Sequence, residues 1–468
     1  MSASCFEPAV GRTGKRRARQ GFVLLAAAAI TIVVLLPAIG LAVDVGVMYL
    51  VQSRLSAACD AASLAGARAL ARGTDDSAQR ASAESTADTY FHANFPSGYF
   101  ASSNVQVTNV AATDSTSMRS VTTTSSVDLP FLFLRAVGLD HTTLRASAKA
   151  TRRDVNIMIV MDRSGSLATS GACAPLKTAA VNFVQKFAEG RDNLGLVTFA
   201  TGSRLDIPLT TTFKTSVANT LNGLVCTGAT NSSQALWQSY VALAALAQTG
   251  ALNVIVFFTD GRPTAVTETF PIKSTSPCTP LHTAPPKVGA LTLGSSTQGL
   301  YRWAAPAQPL ASDVTLITDD AGCKFKTSDA TYVTTDVSYA PLTDYWGNAL
   351  NPAHAYETVT TSGAGLSITS AQNVQNFSTN AADHAALRIR RGDPDPQNGN
   401  RSLAGVMIFS IGLGDVDDVL LKRIANDPSL TPNPVAAGTP GRYVYAADAT
   451  QLNQAFTRVA SEMLRLAR

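Results

Sequence analysis

Val155–Ser166 reads VNIMIVMDRSGS, an apolar run that ends abruptly in a carboxylate and two hydroxyls. VNIMIVM has the texture of a strand buried on both faces of a parallel sheet. APLKTAAVNFVQKFAEG follows, with Leu176, Ala180, Phe183, Val184 and Phe187 on one helical face. Next come a strand, LGLVTFA, an edge strand, LDIPLT, helices near Phe213–Leu224 and Ser232–Ala247, and a second buried strand, LNVIVFF. The pattern resumes at GVMIFSIGLG with a helix near Val416–Asn426, a strand RYVYAA and a C-terminal helix from Ala449. Buried strands alternating with amphipathic helices predict an α/β, doubly wound domain. Thr264 to about Leu403 breaks this rhythm with Thr, Ser, Pro and Gly and short strand-like pieces. A loop of that length is improbable within one compact domain, so an inserted, β-rich subdomain is expected.

In an open α/β sheet, ligands bind outside the carboxyl ends of the strands, at the switch point of strand order. Asp162, Ser164 and Ser166 are expected there, after the first buried strand. Asp260, in FFTDG, follows the second, and Thr230, in GATNSSQAL, precedes a helix between them. Hydroxyls with few carboxylates are hard oxygen donors suited to Mg²⁺, with Mn²⁺ or Ca²⁺ as alternatives. DxSxS alone is a common turn, and Ser or Asp after a strand often only caps the next helix. Three such elements in this order favour a metal site.

The chain has 468 residues, 46% of them hydrophobic and only 15% charged, against roughly 25% charged in ordinary soluble domains. Its net charge is +4, and Arg12, Lys15, Arg16, Arg17 and Arg19 stand together near the N-terminus. The remainder is close to neutral and carries no basic stripe, which argues against a nucleic-acid partner. Phe22–Val43, FVLLAAAAITIVVLLPAIGLAV, is 22 residues without a charge. That suffices for a membrane-spanning helix, about 20 residues. A signal-peptide core, at about 7–15 residues, would be shorter. The basic flank keeps residues 1–21 cytoplasmic and places the chain after Asp44 outside the inner membrane. Helical small-residue sequence continues to Ala71, a second helix spans roughly Ser77–Phe91, and VQVTNV and SVTTTSSVDL read as strands. The expected organisation is therefore 1–21 basic segment, 22–43 transmembrane helix, 44–150 α+β stalk, 151–264 first part of the α/β domain, 265–403 insertion and 404–468 last part.

Of the six cysteines, Cys5 is expected in the cytosol and Cys59 in the helix next to the membrane. Cys173, Cys226, Cys278 and Cys323 belong to the exported part, where disulfides persist, and they allow three pairings. The five histidines are scattered singly and form no zinc spacing with cysteine.

Asp162-x-Ser164-x-Ser166 with Thr230 and Asp260 resembles the metal-ion-dependent adhesion site (MIDAS) of von Willebrand factor A domains. The resemblance implies that Ser164, Ser166 and Thr230 ligate the metal directly, that Asp162 and Asp260 act largely through water, and that an open position accepts an acidic side chain from a protein partner. The N-terminal sequence, an apolar span ending in AVDVG and a small-residue helix with DAASLAGA, is similar to the start of TadG-type proteins of Flp (tight-adherence) pilus assembly. Gly21-Phe22 also resembles a prepilin cleavage junction, but Ala26 stands where prepilins have Glu. The expected function is a membrane-anchored, non-enzymatic pilus-assembly or adhesion protein. A structural envelope protein with a vestigial metal site is the alternative. An envelope hydrolase using Asp162 as nucleophile would need a general acid or base nearby, and no histidine falls in a motif. Because Cys173 follows the first metal loop and Cys226 precedes the Thr230 loop, a Cys173–Cys226 bond is expected, leaving Cys278 for Cys323.

Overall fold

The computed structural model describes residues 28, 31–70, 76–115, 118–270, 287–293, 298–303, 314–316 and 339–467, within two compact units. Gly21-Phe22, most of the first third of the expected membrane span, Cys5 and the expected Cys278–Cys323 bond lie outside these residues.

The first unit is built on helix α1, Leu36–Ala69, which follows a π-helical turn at Thr31–Leu35. From Pro37 to Ala69 it is long and apolar enough to cross a membrane by length and composition. Its two halves have different surroundings. Ile39, Leu41 and Val45 are exposed, whereas Val51, Leu55, Ala58 and Ala62 form a buried seam at helical spacing. That seam packs on Ala83, Ala87 and Phe91 of helix α2, Asp76–Asn94, and on Val121 and Val127 of the sheet. Gly66 permits the close approach, since a Cβ there would lie 2.9 Å from the Val121 side chain and 3.0 Å from the Ala83 carbonyl. The sheet has strands β1 (Ser103–Ser115), β2 (Met118–Pro130) and β3 (His141–Arg153) in that order. The expected stalk thus contains a third strand whose polar, small-residue sequence gave no strand signal.

The second unit centres on a six-stranded mixed sheet. Its strands are β4 (Val155–Asp162), β5 (Asn193–Phe199), β6 (Ser203–Thr210), β7 (Leu252–Thr259), β14 (Met407–Leu413) and β15 (Arg442–Ala446). They are ordered β15-β14-β7-β4-β5-β6, all parallel except the antiparallel edge β6. Every β4 residue is buried because the strand feeds two cores. Val155, Ile157, Ile159 and Met161 face one, with Phe183 and Phe456, while Met158 and Val160 face the other, with Trp237 and Tyr240. The chain winds from β4 to β5 on one side and to β7 on the other, so the switch point lies between β4 and β7.

Within the expected insertion, a second sheet has strands β8 (Ala265–Phe270), β9 (Lys287–Leu293), β10 (Gln298–Trp303) and β11 (Val314–Leu316), each antiparallel to the next. A short antiparallel pair, β12 (Thr361–Ser362) and β13 (Gly365–Leu366), follows. The 265–403 span also holds a 21-residue helix, Ala371–Arg391. Ala385, Ala386 and Ile389 of this helix join Trp237 and Tyr240 in the second core.

Candidate metal centre

The end of β4 is fixed by its own carboxylate. Asp162 Oδ1 accepts the Ser164 backbone N–H at 2.7 Å and Oδ2 accepts the Thr259 hydroxyl at 2.6 Å. Asp162 is fully buried, and these two bonds close the turn that starts the short helix Gly165–Thr169. Ser164 Oγ and Ser166 Oγ stand 2.9 Å apart. Both turn to Asp260 Oδ1, the Ser166 hydroxyl donating at 2.7 Å and that of Ser164 at 3.4 Å. Four of the five expected residues therefore share one hydrogen-bonded cluster at the switch point.

Thr230 lies on the neighbouring loop and is placed through backbone contacts. Its N–H donates to Thr264 Oγ1 at 2.9 Å and its carbonyl accepts the Thr264 N–H at 2.9 Å. Two bonds join this loop to the first one: Gly165 N–H to the Gly228 carbonyl at 3.0 Å and Thr227 N–H to the Arg163 carbonyl at 2.7 Å. Gly228 has φ +95°, and a Cβ there would lie 2.9 Å from Thr201 Oγ1. The expected Cys173–Cys226 disulfide ties the same two segments, with 6.2 Å between Cα atoms.

Burial first, and the charge of Asp260 second, push the Asp162 carboxyl up to about 7. Burial raises Asp260 as well. Arg262, two residues beyond Asp260, is turned away to Glu357 at 2.8 Å and Asp417 at 2.6 Å. Two crowded carboxylates with converging hydroxyls suit a hard divalent cation, whose charge would favour their ionised forms. Among the described residues, no three His, Cys, Asp or Glu side chains gather as a metal site. The donors at this position are mainly hydroxyls.

Two residues that support the cluster differed in sequence signal. Thr259 had a visible one, as a hydroxyl next to Asp260 at a strand end. Thr201 had none: it accepts the Ala229 N–H through its hydroxyl at 3.1 Å and the Asn231 side-chain amide through its carbonyl at 3.0 Å, contacts made only in the fold.

Residues 157–262 match the family model of the von Willebrand factor type A domain, a span that contains all five expected metal residues. Residues 21–69 match the family model of Flp pilus-assembly TadE/G-like sequences. No curated protein matches the chain. Among solved structures, it is similar to the pilus adhesin SpaC from Lactobacillus rhamnosus GG at 14% identity and a TM-score of 0.37, covering 80% of this chain and 37% of that one. It is also similar to the vWF domain of the type V pili tip protein Mfa5 from Porphyromonas gingivalis, at 14% identity and a TM-score of 0.36, over 68% of this chain and 98% of that one. The PilB minor pilin from Streptococcus sanguinis has 13% identity and a TM-score of 0.35, over 78% and 79% respectively.

Proposed function

We infer that this chain is a membrane-anchored component of pilus assembly or adhesion, whose von Willebrand A domain binds a protein partner through a divalent cation. The observation that carries the reading is the convergence of Ser164, Ser166 and Asp260 beside Asp162 at the switch point of the sheet. Ser164, Ser166 and Thr230 are the direct ligands in this proposal, with Asp162 and Asp260 holding coordinated water. Mg²⁺ fits the hard oxygen set best, with Mn²⁺ or Ca²⁺ as substitutes. The remaining position accepts a carboxylate from the partner, for which pilus-assembly components are the candidate class. The TadE/G-like N-terminal match supports that context. The apolar helix supports anchoring in the inner membrane, with residues 1–21 cytoplasmic and the remainder exported.

A binding role also fits the state of Asp162. Both of its oxygens are engaged and it is fully buried, so it is placed to hold a loop and not to attack a substrate. The test is a cross-linked pull-down of the full-length protein from envelope extracts, with Mg²⁺ and with chelator. Partners recovered only with Mg²⁺, and lost in Asp260→Ala, are expected. Recovery indifferent to metal would favour the structural envelope role with a vestigial site.

A further inference from the structure

The loop Phe131–Asp140 stands beside the upper half of α1 and exposes large apolar side chains: Leu132 is 63% exposed, Phe133 52% and Leu139 53%. Such a group on a short loop needs a partner, because contiguous apolar surface on soluble proteins usually marks an interaction site. The loop is not a loose excursion. The Asp44 carboxylate accepts three successive backbone N–H groups, from Leu132 at 2.9 Å, Phe133 at 3.0 Å and Leu134 at 2.8 Å. Its base is closed by the Phe131 N–H on the Asp140 carbonyl at 3.0 Å. Four residues before Asp44, on the same helix face, Gly40 leaves room for Phe133, since a Cβ at Gly40 would lie 2.7 Å from the Phe133 Cβ.

Gly40 belongs to the uncharged stretch Phe22–Val43, and after Asp44 no charge follows until Arg54. Asp44 itself is buried under the loop, so its charge faces those amides and not the surroundings. At 1.5 Å per residue, Gly40 lies about 6 Å along the helix from Asp44, toward the middle of the apolar stretch. If α1 crosses the bilayer through that stretch, Phe133 reaches the same depth, roughly the 5–10 Å to which interfacial segments bury their apolar face. Arg135, 64% exposed, and Asp140, 78% exposed, supply polar groups beside the apolar ones, as an interfacial element requires.

We propose that Leu132, Phe133 and Leu139 enter the outer leaflet of the membrane that holds α1, making the loop a second, interfacial anchor latched to the helix by Asp44. The proposal rests on the reading of α1 as the membrane anchor. Its occupant is lipid because the half-exposed Phe133 packs on Gly40, whose chain neighbours Ile39 and Leu41 are exposed apolar residues of the proposed anchor. The anchor fixes how the helix is rotated and how deep it sits, a constraint that one smooth helix lacks.

Tryptophan quenching in the full-length protein tests this. Leu132→Trp and Val34→Trp are reconstituted separately in phosphatidylcholine vesicles, with and without lipids brominated on the upper acyl chain. Emission is compared with that of the wild type and its three native tryptophans. Leu132 is largely exposed, so the larger ring displaces nothing in the core. Brominated lipid is expected to remove most of the emission added at both positions, and Leu139→Trp should behave like Leu132→Trp. Quenching at position 34 with none at 132 or 139 would leave the anchor standing and overturn the loop proposal, assigning the patch to a protein partner. No quenching at position 34 would remove the anchor reading and the loop proposal with it.

Discussion

The two ends of the central sheet handle charge in opposite ways. At the amino ends of the strands buried carboxylates are paired with arginines of the same unit. Asp192, fully buried, accepts Arg152 at 3.3 Å, the Ala188 N–H at 2.9 Å and the Val155 N–H at 3.3 Å. Arg191 pairs with Asp154. Between them an amide ladder crosses three strands, the side chain of Asn193 donating to Asn156 at 2.9 Å and that of Asn156 to Asn253 at 2.8 Å. At the carboxyl ends, two carboxylates of one sign, Asp162 and Asp260, are met among the described residues by hydroxyls and backbone amides instead of Lys or Arg. One end is neutralised by folding alone. The other is held in shape by hydroxyls and a backbone amide, and the countercharge is what the proposed cation would supply.

The widest separation between the two ends should come from Asp192→Ala. It leaves the Arg152 guanidinium, 6% exposed, without its carboxylate and strips two backbone N–H groups of their acceptor. Breaking a buried pair from one side costs about 3–5 kcal/mol, so a large fall in the chemical-denaturation midpoint is expected. Asp260→Ala should cost far less in metal-free buffer, because it relieves a like-charge pair. Equal losses from the two substitutions would break the contrast.

Second in size is the strap across the carboxyl end. Removing both cysteines, Cys173→Ser with Cys226→Ser, opens a link between positions 53 residues apart, worth about 4 kcal/mol on the loop-entropy scale. Measured gains are commonly lower, about 2–4 kcal/mol. The same double variant should weaken Mg²⁺ binding, since the bond ties the Ser164 and Thr230 loops. Unchanged stability in non-reducing denaturation curves would contradict this.

The two ends also differ in how far their sequence betrayed them. Asp162, Ser164, Ser166 and Asp260 were legible because each follows a strand so apolar that its end is obvious, and hard oxygen donors at that spacing form a recognisable pattern. The asparagine ladder was not, since Asn is a poor strand former and only the pairing of Asn156 with both Asn193 and Asn253 explains it. The helix Ala371–Arg391 was hidden for a related reason. Its buried face mixes Phe377, Ala381, Ala385 and Ile389 with Asn380, Asp383 and Arg390. Those polar groups are satisfied far away in sequence. Asn380 donates to the Leu350 and Glu357 carbonyls, Asp383 pairs with Arg423, and Arg390 donates to the carbonyls of Arg423, Ile424 and Val435. A helix whose burial depends on such partners shows no clean apolar stripe.

Metal itself sharpens the comparison next. Saturating Mg²⁺ should raise the melting temperature of the domain, by mass action about 2.7 kcal/mol at a hundred times the dissociation constant. Chelator should reverse the shift, and Asp162→Ala with Asp260→Ala should abolish it while the metal-free fold persists. Asp192→Ala, at the opposite end, should keep a Mg²⁺ response on its lowered baseline. A metal shift that survives in the Asp162→Ala, Asp260→Ala protein would sink the proposed site.

The remaining test is pH dependence, and its sign separates the two ends again. In the metal-free domain the Asp162 carboxyl titrates at about 7, against 3.8 for an ordinary aspartate in the unfolded chain. Between these values the folded state binds the extra proton, so the stability contributed by this group is fully present below about 4 and declines as pH rises toward 7. Asp162→Asn cannot titrate and should lose that part of the slope. Asp154, Asp344 and Glu268, also raised by burial, remain in both proteins, so the difference between the two pH profiles is the quantity to measure. Mg²⁺ competes with the proton, so its apparent affinity for the wild type should increase over the same window. Thermal melts at steps from pH 4 to pH 8, with chelator and with Mg²⁺, give both quantities. Parallel profiles for wild type and Asp162→Asn would mean that the carboxylate already has an internal countercharge, like those at the amino end, and the contrast between the two ends would fail at its most specific point.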